Sequence, residues 1–562
     1  MEKINIPRDT TIKELVGLQK ASVIAGSNPN AADAYYKQLV AMCKNKEEVD
    51  SLFTEWWGFQ YDPEKYSKAE MLDRWFGKVL DDDRIHGCMT PLYSKSTSMI
   101  GDLTDDSEGL ACTPSTESTT GNDPFAHLPQ FWCLEVAAEK NEDGSHTIYY
   151  VEHIDDIADV RSGEHLCWVI QKNTYTKEWK DSEYKYLKMR CHQASGYKRW
   201  PEGKDRTGKV HEYIAHPKYY AGYDSNGSIT CGTGLRPVNR ISHSIGITKW
   251  RARGSQYSGG SGSLIRFIDM MFRLKYGRKG NSGKIEGCSN YNFQYTAAVS
   301  ESGVERVILT TTQAANLFVG SAVMLGIQSG SDRDAASNYS IFDGKLIKSI
   351  ENVNIDGTDY AAVYIDNGGT AFDTAAGSTY LSTSPYYSGW NDNVQGRDGS
   401  RYSPTSGKEP GMIQGVEFMN GSYMIISDEL WQWSKDGDGN YNFDCYKSFD
   451  QSKSASEIGE NYKKIEGAHL VFPDGTKSGW RYIADNIIDD DVLWPETTDA
   501  SGSGVGVGAG FYCYPAASGV RSPWVFGILN HGGPAGVSCR DSNSSVGSAY
   551  WYGSLGAPGS EG

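Results

Sequence analysis

The chain carries 71 acidic side chains and 11 histidines, so any catalytic reading starts from carboxylate and imidazole chemistry. Cleaving a glycosidic bond takes two carboxyl groups facing each other across a cleft, and among so many acids the sequence singles out no pair. No two histidines form an H-x-x-x-H pair, no serine stands in a visible nucleophile elbow, and no phosphate loop ends in Gly-Lys-Ser or Gly-Lys-Thr. Eleven cysteines run from Cys43 to Cys539 without a C-x-x-C, a pattern of free buried thiols and not of a disulfide scaffold or zinc site. Asp436-Gly-Asp-Gly-Asn-Tyr-Asn-Phe-Asp places oxygens at alternate positions, as a calcium loop does. It lacks the sixth-place glycine and the twelfth-place glutamate, so a hairpin turn between Leu430-Trp-Gln-Trp and Tyr441-Asn-Phe-Asp-Cys-Tyr explains it better. Asp485 to Asp491 reads as a solvated acidic loop. The expectation is no catalytic residue, no metal site and no cofactor.

Binding chemistry is better represented. The chain holds 63 Gly, 35 Tyr and 15 Trp against 12 Met, which suits short strands, tight turns and aromatic contact surfaces. Thr497 to Ser560 contains no Lys, Glu, Gln or Met. A surface of Ser, Gly, Asn and Tyr is ordered at low entropic cost, the composition of a recognition face. A disordered Gly/Ser tail is the alternative, and Trp524, Phe526, Trp551 and Leu555 argue against it.

The segment from Phe526-Gly-Ile-Leu-Asn-His-Gly-Gly-Pro-Ala-Gly through Ala549-Tyr-Trp-Tyr-Gly-Ser-Leu-Gly resembles the C-terminus of the variable proteins of diversity-generating retroelements. It is also similar to phage receptor-binding proteins with a C-type-lectin-like (formylglycine-generating-enzyme-like) fold. Gly527, Leu529, Asn530, Gly532, Gly533, Ala535, Gly536, Trp551 and Leu555 fill the family's frame, and Gly415-Val-Glu-Phe-Met-Asn-Gly-Ser-Tyr resembles its strand-turn-strand opening. The resemblance implies a rigid frame with outward side chains that vary. Those positions are His531, Pro534, Ser538, Arg540, Asp541, Asn543, Ser544, Ala549, Tyr550 and Tyr552, all residue types reachable from asparagine codons altered at adenines. Tyr550 and Tyr552 would be aromatic anchors, Arg540, Asp541, His531 and Asn543 would give polar selectivity, and Trp551 would stay in the core. The usual Gly-x-Arg-Leu ending appears here as Gly553-Ser-Leu-Gly, and Cys513 and Cys539 lack the pattern of formylglycine-generating enzymes. Arg251-Ala-Arg-Gly-Ser-Gln-Tyr-Ser-Gly and Tyr291-Asn-Phe-Gln-Tyr look like a group of structural proteins from gut phages.

The elements that must position this face read as mainly β behind a helical N-terminal segment, in a multidomain chain whose end, by the resemblance, is a C-type-lectin-like α+β domain. Residues 1–82 are helical by spacing, with segments at Ile12 to Leu18, Ala31 to Met42, Glu47 to Trp57 and Lys68 to Leu80. Residues 83–287 form a β-rich body with one helix, 264–276. Within it Gln130 to Ala138 and Thr147 to Glu152 flank an Asp-Gly turn, and Tyr184 to Met189 and Val210 to Ala215 are strand candidates. Residues 288–383 read as a small barrel or sandwich, and 384–562 as the lectin-like domain.

A net charge of −17 argues against broad nucleic-acid binding. No apolar run is long enough for a membrane span, and the N-terminus shows no signal-peptide core, so synthesis and folding in a host cytoplasm are expected. The resemblance then implies a virion protein, forming a homotrimer, that meets a bacterial cell-surface receptor and other phage virion proteins. A structural virion component such as a head fibre or decoration protein, and a polysaccharide-degrading tail enzyme, are the alternatives.

Overall fold

A computed structural model describes residues 29–328 and 335–559. It is mainly β, 34% strand and 16% helix, in several antiparallel sheets. No helix among the described residues is long and apolar enough to cross a membrane. The helical segment expected at Ile12 to Leu18 lies outside the described residues.

Helices Pro29–Val40, Lys46–Gln60 and Lys68–Arg74 open the described chain. Asn45 caps the second by accepting from Glu48 N–H, and Ser67 with Glu70 forms a reciprocal capping box on the third. The third continues as a wider turn, Trp75–Val79, in which Leu80 N–H reaches back to Trp75 C=O. That turn keeps Trp75 and Phe76 aimed at Trp132, with ring centres 5.8 and 5.7 Å from it. The helices therefore share one core with the sheets that follow.

Two antiparallel sheets form the body. One has the order His146–Val151, Cys133–Lys140, Leu166–Lys172, Tyr213–Pro217, with the Asp143-Gly144 turn where the sequence predicts it. The other runs Asp102–Asp105, Ile85–Pro91, Tyr184–Arg190, Tyr175–Lys180, Lys198–Arg199. Helix Gly262–Tyr276 is buried along nearly its whole length, charged residues included. Arg273 pairs with Glu178 at 2.5 Å, and Lys275 with Asp123 at 2.7 Å and with Asp398. A second helix, His243–Arg253, occupies a stretch whose Gly- and Asn-punctuated texture suggested strands; Ser242 caps it.

Between Gln294 and Thr383 lies a six-stranded sheet ordered Gln294–Thr296, Tyr380–Thr383, Ala322–Gly326, Phe342–Ile355, Thr358–Asp366, Arg306–Thr310. It has its own core, built on Val307, Leu309, Val323, Leu325 and Val363, which Leu529 and Trp551 also enter. The main core runs from Tyr36 to Ala557 and joins the body to the C-terminal sheets through Phe272, Phe418 and Phe526.

Candidate functional site

The C-terminal region is built on a six-stranded sheet, order Gly479–Tyr482, Gly510–Cys513, Gly536–Asp541, Trp524–Phe526, Tyr423–Ile425, Gly553–Leu555. The last strand runs parallel to Tyr423–Ile425, pairing Tyr423 with Gly553 and Ile425 with Leu555. This places the segment 550–552 beside Tyr423, whose N–H donates to Tyr552 C=O at 2.7 Å. Gly553 allows the approach: a Cβ there would lie 2.7 Å from the Trp524 ring. Gly527 (φ +102°) makes the turn after Phe526 in a backbone region that L side chains rarely adopt.

Strand Gly536–Asp541 has neighbours on both sides, so its alternating side chains enter one layer or the other and few reach solvent. Ser538 and Arg540 lie on the inner face, away from any binding surface. Ser538 Oγ accepts from Asn486 Nδ2 at 2.9 Å. Arg540 donates to the carbonyls of Val537, Cys539 and Leu493 at 3.2, 3.0 and 2.7 Å, with its guanidinium 5.8 Å from the Trp431 ring. Asp541 is buried on the other face and accepts from Asn543 N–H at 2.7 Å; burial pushes its carboxyl up to about 6. Ser544 is buried too, its carbonyl bound by Ser522 N–H at 2.9 Å. The expectation that these four face outward is therefore corrected: the sheet and its covering layers enclose them.

The other six positions reach the surface. Asn543, Ala549 and Tyr550 are exposed, and His531, Pro534 and Tyr552 are half-buried. Tyr550 and Tyr552 stack with ring centres 5.1 Å apart and planes 15° from parallel. Trp524 supports both edge-on, at 5.9 and 5.6 Å. Between them in sequence, Trp551 turns inward and is 2% exposed. The ring row continues through Tyr423, 6.1 Å from Tyr552, to His531 at 5.3 Å, then Trp480 at 4.8 Å and Tyr512 at 5.2 Å. Trp480 comes from a strand well before the C-terminal motif and nothing in its local sequence marks it, whereas Tyr512 falls within the stretch 497–560; the sheet order brings both to this row.

Tyr423 itself is buried, so the row meets the surface at Tyr550 and Tyr552 on one side and at His531, Trp480 and Tyr512 on the other, with apolar and edge-polar contact and no acid–base chemistry. His531 is pushed down to about 4 by burial, and its Nδ1 accepts from Ile528 N–H at 3.3 Å, so the ring stays neutral. Among the described residues one group, Cys112, Asp123 and Asp398, has the closeness a metal ion needs. The buried Lys275 ammonium already sits on both carboxylates, so a cationic side chain fills the position an ion would take. The expected hairpin turn at Asp436 is present, Asp436 Oδ1 accepting from Asp438 and Asn440 N–H between strands Glu429–Lys435 and Tyr441–Lys447. All eleven cysteines are buried and unpaired. No protein-family model matches the chain, and no curated protein matches it.

Proposed function

We propose that the chain is a bacteriophage virion protein that binds a host-surface ligand through the aromatic row ending in Tyr550, on a C-terminal region of C-type-lectin-like fold. The observation that carries this reading is the Tyr550–Tyr552 stack: two parallel rings, one exposed, held over buried Trp524 while Trp551 anchors the backbone from behind. Rigid aromatic side chains on a fixed backbone give large contact area at low entropic cost. Assembly as a homotrimer beside other virion proteins would multiply weak contacts by avidity. The burial of Ser538, Arg540, Asp541 and Ser544 narrows any retroelement-driven variation to Asn543, Ala549, Tyr550 and the half-buried His531, Pro534 and Tyr552.

Tyr550→Ala tests the reading. Adsorption to host cells should fall on the order of tenfold or more, as for a contact anchor, while the melting temperature stays close to the parent's. Adsorption at the parent's level in a folded Tyr550→Ala protein would remove the assignment.

A further inference from the structure

Away from the aromatic row, a cleft of about 630 Å3 opens between the start of helix Lys46–Gln60, the segment 115–127 and the segment 391–397. That volume falls within the range of about 300–1,000 Å3 usual for small-ligand sites. Its floor is ionic. Glu135 is fully buried and receives Arg161 Nε and Nη2 at 2.6 and 2.8 Å, Lys218 Nζ at 2.9 Å and Arg397 Nη1 at 2.5 Å. Arg397 also donates to Glu152, whose second oxygen accepts Glu135 N–H at 2.7 Å. Asp392 accepts the Tyr219 and Thr233 hydroxyls, each at 2.6 Å, and lies 3.4 Å from Lys218 Nζ.

Two features go beyond what holding the fold requires. His153, in the cleft wall, has φ +70°, a left-handed backbone that a residue with a side chain adopts at a cost and that clusters at ligand sites. Asn391 lines the cleft at 1% exposure, and its Oδ1 has no donor among the described residues, although its Nδ2 donates to Pro410 C=O at 3.1 Å. A buried acceptor of this kind rewards an incoming hydroxyl.

The lining chemistry selects the ligand by elimination. On the floor Arg161, Lys218 and Arg397 balance Glu135, Glu152 and Asp392, and on the walls Lys44 and Lys46 stand against Glu47, Asp50 and Asp123, so the lining carries no strong net sign to attract an ion. An anion would meet Glu152 and Asp392, a cation would meet the guanidinium groups, and an apolar ligand would strand both. A chain of hydroxyl groups can donate to the carboxylates and accept from the cations at once. We propose that this cleft is a second binding site, taking a neutral, hydroxyl-rich saccharide. Although burial opposes ionisation, Lys218 and Arg397 keep Glu135 below the usual carboxylate range, and Arg397 does the same for Glu152. Neither is then the protonated acid that glycoside cleavage needs.

The test presents the full chain with neutral hexose and N-acetylhexosamine oligomers, beside uronic-acid oligomers and glucosamine oligomers as charged controls. Neutral oligomers should be retained in preference to both controls. Hydrogen exchange in the parent protein should slow within 115–127 and 391–397 when a retained oligomer is added. Ala126→Trp, which fills the cleft from its half-buried wall, should weaken retention by about tenfold or more, and Tyr550→Ala should leave it unchanged. The proposal fails if no neutral oligomer is retained, if a charged control is preferred, or if neither cleft segment is protected. It also fails if folded Ala126→Trp binds like the parent. Loss with Tyr550→Ala alone would move the saccharide to the aromatic row and leave the host-binding reading standing, so the two proposals fall separately.

Discussion

Asp541 carries its charge at a cost, because the burial that keeps it from the surface lifts its carboxyl to about 6. The folded form holds the proton more tightly than the unfolded chain. Its contribution to stability is therefore greatest below about pH 4 and is lost as pH rises through about 6. Asp541→Asn keeps an oxygen for Asn543 N–H and removes the charge. It should stabilise the fold at pH 7.5 by up to about 3 kcal/mol, seen as a raised melting temperature, and flatten the profile between pH 4 and 6. An unchanged profile would show that the carboxylate is solvated. Glu417, pushed up to about 8 first by burial and then by Asp392, extends the same downward slope to higher pH. Tyr550 and Tyr552 should also separate by stability. Tyr552 packs against both cores, so Tyr552→Ala should lower the melting temperature where Tyr550→Ala does not. At this scale the family resemblance implied an outward Tyr550 and an inward Trp551, and the two rings lie so, with Tyr552 half-buried. The sequence could not orient Ser538 and Arg540: a two-residue alternation is visible in Gly536–Asp541, but which layers cover each face depends on strands more than a hundred residues away.

Single elements show where local rules hold and where packing overrides them. The helices at 29–60, the one at 262–276 and the hairpin at Asp143-Gly144 follow from caps, spacing and turn residues. His243–Arg253 does not, since its apolar residues form no strong stripe and its neighbours read as strand. Gly553 is an element-level constraint. Gly553→Ala drives a methyl into the rigid Trp524 ring and should cost about 1–3 kcal/mol in chemical denaturation; a neutral result would mean the terminal strand can shift. On helix Gly262–Tyr276, Lys275→Ala leaves Asp123 and Asp398 facing each other without their cation. A loss of about 3–5 kcal/mol is expected.

At the scale of the whole molecule, one core links the helices, the body sheets and the C-terminal sheet, and a second holds the 294–383 sheet. Composition suggested a change of texture near residue 288, but nothing in it announced that Leu529 and Trp551, from the far C-terminus, complete that second core. The segments carrying Leu529 and Trp551 are thereby fastened to the 294–383 sheet. Trp551→Ala should speed proteolysis within 294–383 before it unfolds the main core, which limited digestion with mass mapping would show.

Eleven thiols lie inside this molecule and no disulfide joins any of them. The fold is thus held without a covalent brace and is indifferent to the redox state around it for as long as it stays shut. Once opened by heat in air, a chain would release all these sulfurs together, and random cross-linking would trap it. A sample melted under a reductant should regain its shape on cooling, whereas one melted in air should not.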